Sequence, residues 1–472
     1  MISVFSGLFT SYYLYRLGRK YFNNMVGLIA ALIIMVSPTH SMYSHFLKTH
    51  VPAALLVIIG IGLCLEIINS KDRLINYIKA GLVFGIGTSV IYHVGFSVFC
   101  LFTVAIIQSY KQTENVKMFF LNFPYLKLLI GLLMSLLGFF ICSPYTILDY
   151  NNFILSMTAT IAGRFSGGIW EHGITYPIIS TIRGLGAPLG YLLIPALIYP
   201  FFNWRNKKLW IVCTQPISLL IILMLFKTKE YHHTLIIYPA VALLIGYFVV
   251  DISKRIFKIK YKPEKIAFMI IIILSAYPLL KSFQNSFVLS KTDTRTISRI
   301  WVLENILSGS KIVMDSGKYY LTTYGPELPM TRDAFIRIIN REKRVDNNKS
   351  TGGRRSGYKG ATKYFQMKME AQPKGVQYDV YQIIHETAIE TIKNNFINSY
   401  EEYLNEGIEY AIVNQRMVDN YATDSWLSKN YPEGAKVYRQ FYQDLENHGE
   451  LLQLFKPSDE LTGPILKIYK IK

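Results

Sequence analysis

The chain has 472 residues, of which 51% are hydrophobic and only 17% are charged, a balance that excludes an ordinary water-soluble protein of this size. The apolar residues are concentrated before residue 280, whereas residues 290–472 have the composition of a water-soluble domain. The net charge of +19 would favour a nucleic-acid partner in a soluble protein, but much of it lies in short loops between apolar segments. The composition therefore predicts a multi-pass membrane protein that does not bind nucleic acid.

Apolar segments follow one another along the first part of the chain, and several are shorter than a full membrane span. The region from 78 to 108 is predicted as two short segments on either side of Tyr92 and His93, because the charges of the following loops then alternate. The sequence thus predicts a polytopic α-helical protein with about ten transmembrane or membrane-embedded segments. They lie at about 2–16, 24–38, 50–68, 78–91, 94–108, 127–142, 187–202, 209–226, 232–250 and 266–281.

Every second loop between these segments is rich in lysine and arginine, which by the positive-inside rule places it in the cytoplasm. The last segment then runs outward, to a soluble domain on the extracytoplasmic side. We therefore expect a plasma- or inner-membrane protein with a transmembrane core at residues 1–285 and an extracytoplasmic domain at residues 286–472. The basic loops are RLGRKYFNN, NSKDRLINYIK, QSYKQTENVK, FNWRNKK and DISKRIFKIKYKPEK.

The soluble domain alternates helical patterns with short apolar strands, which is typical of a small α/β layer domain. A helix is predicted after Ser290 with Gly309 as its stop signal, and a second helix at 435–449 ends at Gly449. Residues 341–375 are basic and polar with several glycines, which predicts a flexible loop. Strands are predicted at 311–316, 409–415, 451–457 and 464–471.

The loops on the outer face hold histidine, lysine, arginine and carboxylates, whereas the basic inner loops hold almost no histidine. Taken singly, each of these residues is more typical of a solvated loop than of a site. The spacing of five between His40, His45 and His50 suits neither a helical pair nor a tight zinc loop. A metal site is therefore not assigned, although His45 and His50 are kept as candidate ligands for a divalent ion.

Several sequence segments, and their order along the chain, resemble the polyprenyl-phosphate-dependent glycosyltransferases of the GT-C superfamily. The closest group is glycosyltransferase family 39, which contains protein mannosyltransferases and aminoarabinose-transferase-like enzymes. The phrases include YYLYRLGRKYFNNMVGLIAALIIMVSPTHSMYSHFLKTHVPAALL, KAGLVFGIGTSVIYH, CSPYTILDYNNF, GLGAPLGYLLIPALIYPF and KTKEYHHTLIIYPAVALL.

This resemblance implies a multi-helix membrane core with a cavity that opens to the outer face. A lipid-linked sugar phosphate would reach the cavity from the bilayer, and an acceptor (a protein, a glycolipid or a glycan) would reach it from water. The resemblance makes Trp170 and His172 candidates for an acceptor loop. A lipid-anchored donor needs polar and cationic groups at headgroup level to hold its phosphate. The candidates for that role are Lys48, Arg164, Lys229, Tyr231 and His232.

The sequence departs from the family at the catalytic acid. In the family this residue lies in the first outer loop, and the chain is expected to lack the first helix and that loop. Relatives also often show an aspartate where this chain has Thr49 and His50. The catalytic residue is therefore unknown, and Asp149, Glu171 and Glu230 are the candidates to replace it. An inactive protein is the remaining alternative.

Two other functions compete with a glycosyltransferase. A transporter or flippase would bind near the bilayer midplane between paired halves, but the ionisable residues here lie at one membrane face. A non-catalytic membrane assembly subunit is compatible with the departure at the catalytic acid. Because no nucleotide-binding motif is found, a donor that carries its sugar on a lipid fits the sequence best.

Overall fold

The structure is a computed structural model, and it describes residues 1–69, 73–110, 116–165, 173–227, 230–257, 262–317, 324–347, 365–372, 375–385 and 397–472. The chain forms two compact units. The first contains Met1–Tyr150 and His172–Ser286, and the second contains Asn151–Glu171 and Phe287–Lys472.

All ten apolar segments predicted from the sequence contain helix. Among the described residues, six helical spans are long and apolar enough to cross a membrane, or seven if the bent pair α2–α3 is one span. The fold class of a polytopic helical membrane protein is thereby confirmed. The helices are α1 (Ile2–Tyr21), α2 (Asn24–Val36), α3 (Pro38–His45), α4 (His50–Asn69), α5 (Leu74–Val90), α6 (Phe99–Tyr110), α7 (Val116–Leu121), α8 (Tyr125–Cys142), α9 (Tyr145–Leu148), α10 (Tyr150–Phe165), α11 (Tyr176–Leu185), α12 (Leu193–Phe202), α13 (Lys207–Leu225), α14 (Tyr238–Ile256) and α15 (Pro263–Ser290).

Among the described residues, three 3₁₀ segments run directly into the helices that follow them. They are Tyr92–Val98 before α6, Leu189–Leu192 before α12 and Tyr231–Ile237 before α14. The first of them confirms the predicted division around Tyr92 and His93, because Ile91 has extended backbone (φ −149°, ψ 125°) and ends α5. A second break bends the chain by 60° between α2 and α3, where Ser37 is extended and Pro38 opens the next helix.

The span from Tyr231 to Ile256 is the inner element of the first unit. Of the 18-residue apolar stretch in this span, 78% is buried, whereas the corresponding share for the span Tyr125–Cys142 is 22%. Every residue from His232 to Gly246 is buried. α14 packs against α2, α12 and α13, whereas α8 exposes most of its leucines and is the kind of helix whose face meets lipid.

Helices α5 and α8 approach so closely that small residues are required where they cross. A side-chain carbon added at Gly81 would run into the carbonyl of Gly131, and one added at Gly85 would run into the carbonyl of Ser135. Gly81 and Gly85 are four residues apart, as are Gly131 and Ser135. This spacing of small residues lets two membrane helices pack backbone to backbone, which compensates for the weak hydrophobic drive between helices in lipid.

The second unit contains a five-stranded mixed sheet with strand order β3-β2-β4-β7-β5, and a two-stranded parallel pair β1–β6. β2 runs parallel to β3 and β4, and β7 runs antiparallel to β4 and β5. This confirms the small C-terminal α/β domain. The strands are β1 (Thr292–Asp293), β2 (Lys311–Gly317), β3 (Asp379–His385), β4 (Tyr410–Asn414), β5 (Glu450–Phe455), β6 (Leu461–Thr462) and β7 (Leu466–Lys470).

Helices cover both faces of this sheet, because successive strand residues point to opposite sides. Ile312 and Met314 enter the core on one face, and Val313 enters the core on the other. The helices are α16 (Thr294–Asn305), α17 (Arg332–Asn347), α18 (Tyr400–Asn405), α19 (Gln415–Asn420), α20 (Trp426–Asn430) and α21 (Pro432–His448).

Two boundaries differ from the sequence prediction. α16 ends at Asn305 rather than near Gly309, because Ile306 is already extended and Gly309, with φ +91°, forms the turn before β2. α17 continues to Asn347, inside the range 341–375 that was predicted as a loop. Its apolar residues at helical spacing, among them Phe335 and Ile338, anchor it to the sheet, and the following residues contain no glycine or proline until the helix ends. Residues 348–364 lie outside the described residues.

A buried polar network lies at the carboxyl ends of β2, β3 and β4. Asp315 is fully buried and accepts hydrogen bonds from the backbone N–H of Asn414 and the hydroxyl of Tyr442, each at 2.7 Å. The Nε2 atom of His385 lies 2.7 Å from the same carboxylate. Burial, and then the neighbouring Asp315 carboxylate, raise the pKa of Tyr442 well above its usual range, so its hydroxyl stays protonated and donates.

We expect Gly85→Ala to lower the stability of the first unit by about 1–3 kcal/mol, because its methyl group would force α5 away from α8. Gly95→Ala is the matched control, since the nearest atom to its new carbon lies 3.5 Å away, at Thr88. Thermal inactivation of the detergent-purified protein, followed by size-exclusion chromatography, measures both. Equal melting of the two variants would contradict the close crossing.

We expect Asp315→Ala to destabilise the sheet by about 3–5 kcal/mol, because it leaves buried partners without their acceptor. Glu446→Gln is the control, since it breaks the partly exposed ion pair with Lys467 (2.7 Å), which is worth about 0–1 kcal/mol. Hydrogen–deuterium exchange of peptides from β2 and β4 in the full chain is the measurement. Exchange in Asp315→Ala no faster than in Glu446→Gln would show that the network does not hold the sheet together.

Candidate functional site

Four imidazoles from three separate elements meet in the first unit, and we call them the histidine cluster. His50 is the first residue of α4, His93 lies in the 3₁₀ segment Tyr92–Val98, and His232 and His233 begin the segment before α14. The ring centroids of His50 and His232 are 4.4 Å apart, those of His232 and His233 5.0 Å, and those of His93 and His233 5.1 Å. As whole residues, side chain and backbone together, His50, His232 and His233 are each at most 8% exposed.

A local capping interaction holds the two adjacent histidines in place. Glu230 is extended (φ −120°, ψ 146°) and caps the 3₁₀ segment, with its side chain accepting from the backbone N–H of His233. In return, the backbone N–H of Glu230 donates to Nδ1 of His233 at 3.2 Å. This reciprocal pair resembles the capping box of α-helices and satisfies donors at the start of the segment. As a result, the Glu230 side chain stays at the edge of the cluster.

The Glu230 carboxylate is joined to buried hydroxyl groups through His232. Its Oε2 atom lies 3.1 Å from Nε2 of His232, and the other ring nitrogen, Nδ1, lies 3.1 Å from the hydroxyl of Tyr43. The Tyr43 hydroxyl donates to that of Tyr231 at 3.0 Å. The side chain of Glu230 is 57% exposed, whereas that of His232 is 10% exposed. A carboxylate that is open to water and oriented by an imidazole is suited to accepting a proton.

The structure brings together four residues that the sequence analysis selected: His50, Glu230, Tyr231 and His232. Lys48 lies two residues before His50 with an exposed side chain, and its carbonyl accepts from Ser3 at 3.3 Å. Lys229 precedes Glu230 and lies outside the described residues. The phosphate-binding role of these residues stays a prediction.

The other selected residues lie elsewhere. His45 is exposed at the end of α3, with Nε2 3.4 Å from the hydroxyl of Ser286, and does not belong to the histidine cluster. Asp149 is exposed at the end of α9, where its backbone N–H donates to Tyr145 at 2.9 Å. Arg164 lies in the last turn of α10, which belongs to the second unit. Trp170, Glu171 and His172 lie outside the described residues.

Sequence reasoning did not select Tyr43, His93 or His233 for a site. The spacing argument for a metal site considers only histidines of one loop, whereas the cluster forms between loops. The available signal was the adjacent pair His232 and His233 before an apolar span, since two neighbouring imidazoles at the start of a membrane helix are costly to bury.

Three members of the cluster have the arrangement of potential metal ligands. His50, His232 and His233 each offer one ring nitrogen, and these three atoms lie within 4.8 Å of one another. Imidazole nitrogen suits zinc and similar transition metals rather than magnesium. Of the two histidines that the sequence analysis kept as candidate ligands, His50 therefore belongs to such a group.

Residues 1–141 match the model of a family described as dolichyl-phosphate-mannose-protein mannosyltransferase. This is a GT-C family, so the match confirms the superfamily that the sequence phrases resemble. The chain is thus a multi-pass membrane protein whose first 141 residues match the model of a GT-C glycosyltransferase family. No curated protein matches the chain significantly.

Among solved structures, the chain is similar to ArnT from Cupriavidus metallidurans bound to undecaprenyl phosphate, with 9% identity and a TM-score of 0.48. The similarity covers 99% of this chain and 83% of that one. It is also similar to the Archaeoglobus fulgidus oligosaccharyltransferase in complex with zinc and sulfate, with 12% identity and a TM-score of 0.43. Here the coverage is 97% of this chain and 60% of that one. Because both TM-scores are below 0.5, the conclusions about this chain rest on the family match and not on these two structures.

Proposed function

We propose that this protein is an integral-membrane glycosyltransferase that moves a sugar from a polyprenyl-phosphate-linked donor to an acceptor at the outer membrane face. The observation that supports this most is the position of His50. It belongs to the region that matches a glycosyltransferase family, and it packs against the segment that begins with Glu230 and His232. One site therefore combines an accessible carboxylate with residues of the matched region.

A donor carried on a lipid agrees with the placement of this site. Glu230 and Tyr231 are partly exposed at the start of a span that runs through the membrane core, so they lie where an aqueous acceptor and a lipid headgroup can meet. Lys48 is exposed close in sequence to His50 and can offer its charge to a phosphate. Lys229 and Arg164 are further candidates for this contact, and Trp170 and His172 for the acceptor loop.

Glu230 is our choice for the group that accepts the proton. As the acceptor hydroxyl attacks the anomeric carbon, a new carbon–oxygen bond forms and the hydroxyl proton passes to the carboxylate. The bond between the anomeric carbon and the phosphate oxygen breaks, and its electron pair leaves with the polyprenyl phosphate. Cationic side chains that hold this phosphate stabilise the charge that grows on it. His232, held by Tyr43, keeps the carboxylate oriented.

The chemistry also requires the acceptor side of the site to face outward. We therefore propose that the basic loops lie in the cytoplasm of a plasma- or inner-membrane protein and that the second unit is extracytoplasmic. The acceptor in this proposal is a hydroxyl group of a protein, a glycolipid or a glycan.

We expect the purified protein to transfer sugar from a polyprenyl-phosphate donor and to ignore nucleotide sugars. Glu230→Gln should lower kcat by about 10²–10⁴-fold, because the amide cannot accept the proton, while donor binding changes little. Glu264→Gln is the matched control, since it alters an ion pair with Lys254 (2.7 Å) at the other end of the membrane core. The measurement is the rate of sugar transfer from radiolabelled donors by the unaltered chain, Glu230→Gln and Glu264→Gln.

In the same assay, Lys48→Ala should weaken donor binding by roughly ten- to a hundredfold, the range for a charged hydrogen bond of about 1.5–3 kcal/mol. Lys227→Ala, which removes another exposed lysine, should have a much smaller effect. Transfer from a nucleotide sugar without a lipid carrier would refute the donor class. Full activity in Glu230→Gln would refute the assignment of the base.

We expect a cysteine at Ser458 to react with a membrane-impermeant maleimide in intact cells, because this exposed residue belongs to the second unit. A cysteine at Arg205, in a basic loop, should react only after the membrane is permeabilised. The exposed Cys142 is replaced by serine in both proteins to remove background labelling. Labelling of position 205 but not of 458 in intact cells would reverse the proposed orientation.

A further inference from the structure

A cavity of about 140 Å³ lies beside the five-stranded sheet, and all of its lining residues belong to the second unit. Its inner part is apolar, because it is lined by Met314 of β2, by Met330, and by Phe335 of α17. Each of these three residues is at most 2% exposed. They belong to the core on the sheet face that α17 covers, so close packing defines the shape of the inner part.

The rim of this cavity is charged, and we call the whole the Arg299 pocket. Arg299 of α16 contributes a guanidinium, Lys368 an ammonium and Glu327 a carboxylate. Lys368 and Glu327 form an ion pair with each other. Arg299 is exposed and has no hydrogen bond or ion pair with any residue in the ranges that the structure describes. The lining therefore carries an excess of one positive charge, and Arg299 can pair with a ligand.

The side-chain amide on the rim is already used within the fold. Gln372 accepts a hydrogen bond from the backbone N–H of Met330 at 3.2 Å and donates one to the carbonyl of Lys368 at 3.1 Å. These two bonds fasten the end of the helical residues 365–370 to the segment before α17. A ligand can thus reach Arg299 without breaking a contact of the described residues.

The size of the Arg299 pocket limits what it can hold. Pockets for drug-sized ligands and cofactors have roughly 300–1,000 Å³, whereas an apolar cavity of about 150 Å³ holds one benzene molecule. The pocket therefore takes a single ring or a short branched chain, and neither a sugar chain nor a polyprenyl tail. The thioethers of Met314 and Met330 adapt to such a group and make favourable contacts with an aromatic ring.

We propose that the Arg299 pocket binds a small organic acid whose apolar body is about the size of a phenyl group. The body packs against Met314, Met330 and Phe335, and the carboxylate accepts two parallel N–H bonds from Arg299. The excess positive charge at the rim favours an acid, because a cation is repelled there and a neutral molecule gains no ion pair. A free acid is favoured over a polypeptide because the body alone fills the cavity.

The ligand joins elements of the second unit that meet at the pocket. It contacts α16 through Arg299, β2 through Met314, and the segment of residues 326–330. α16 begins at Thr294, four residues after α15 ends at Ser290. Binding therefore stabilises the first helix that follows the last membrane-capable span of the described residues, since a ligand that binds only the folded state adds to its stability.

The proposal is independent of sugar transfer, because binding is measured without turnover. The purified full-length chain in nanodiscs is dialysed to equilibrium against radiolabelled phenylacetate, and empty nanodiscs correct for uptake by lipid. We expect saturable binding of one phenylacetate per chain. Phenylacetamide, which keeps the ring but lacks the charge, should compete roughly ten- to a hundredfold less well, the range for hydrogen bonds to a charged group.

Arg299→Gln should weaken phenylacetate binding by the same roughly ten- to a hundredfold factor. Arg299→Lys should restore part of it, because the charge is kept and the planar fork is lost. Since Arg299 is exposed, neither change removes a buried contact. Arg416→Gln is the matched control, because it removes another exposed arginine of the second unit that does not line the pocket. In the unaltered chain, phenylacetate should also slow hydrogen–deuterium exchange in α16 and in residues 326–330.

The absence of saturable binding would overturn the proposal. Equal affinity for phenylacetate and phenylacetamide, or unchanged binding in Arg299→Gln, would overturn it as well. An uncharged peptide with one central phenylalanine should not compete. If that peptide displaces phenylacetate at equal concentration, the pocket is a polypeptide site and its assignment to a free acid is wrong.

Discussion

The first unit depends on the burial of one continuous run, from His232 to Gly246, in which every residue is buried. Burial of the apolar side chains in this run stabilises the folded unit without further contacts. The two histidines at its start do not, because polar atoms in an apolar interior are costly without partners. Glu230 and Tyr43 supply those partners for His232 and His233. The same contacts therefore satisfy the buried start of the run and assemble the candidate site.

Helices of the first unit that face lipid are held together by shape rather than by a hydrophobic drive, since lipid is as apolar as a leucine side chain. Gly81 and Gly85 let α5 reach the backbone of α8 and leave little room for adjustment. The polar residues of the site instead lie mainly near helix ends, with His50 at the start of α4, His93 two residues after the extended Ile91 and His232 at the capped start of the run.

Much of the fold could be predicted from the sequence, because its elements are set by local patterns. Runs of apolar residues gave the membrane segments, and strands such as 311–316 and 409–415 followed from short apolar stretches between polar ones. The site was only partly predictable. Its loops were found from their polar residues at one membrane face, but the meeting of His50 with His232 depends on how α4 packs beside α14. For the same reason His45, in the same loop as His50, was selected although it lies outside the cluster.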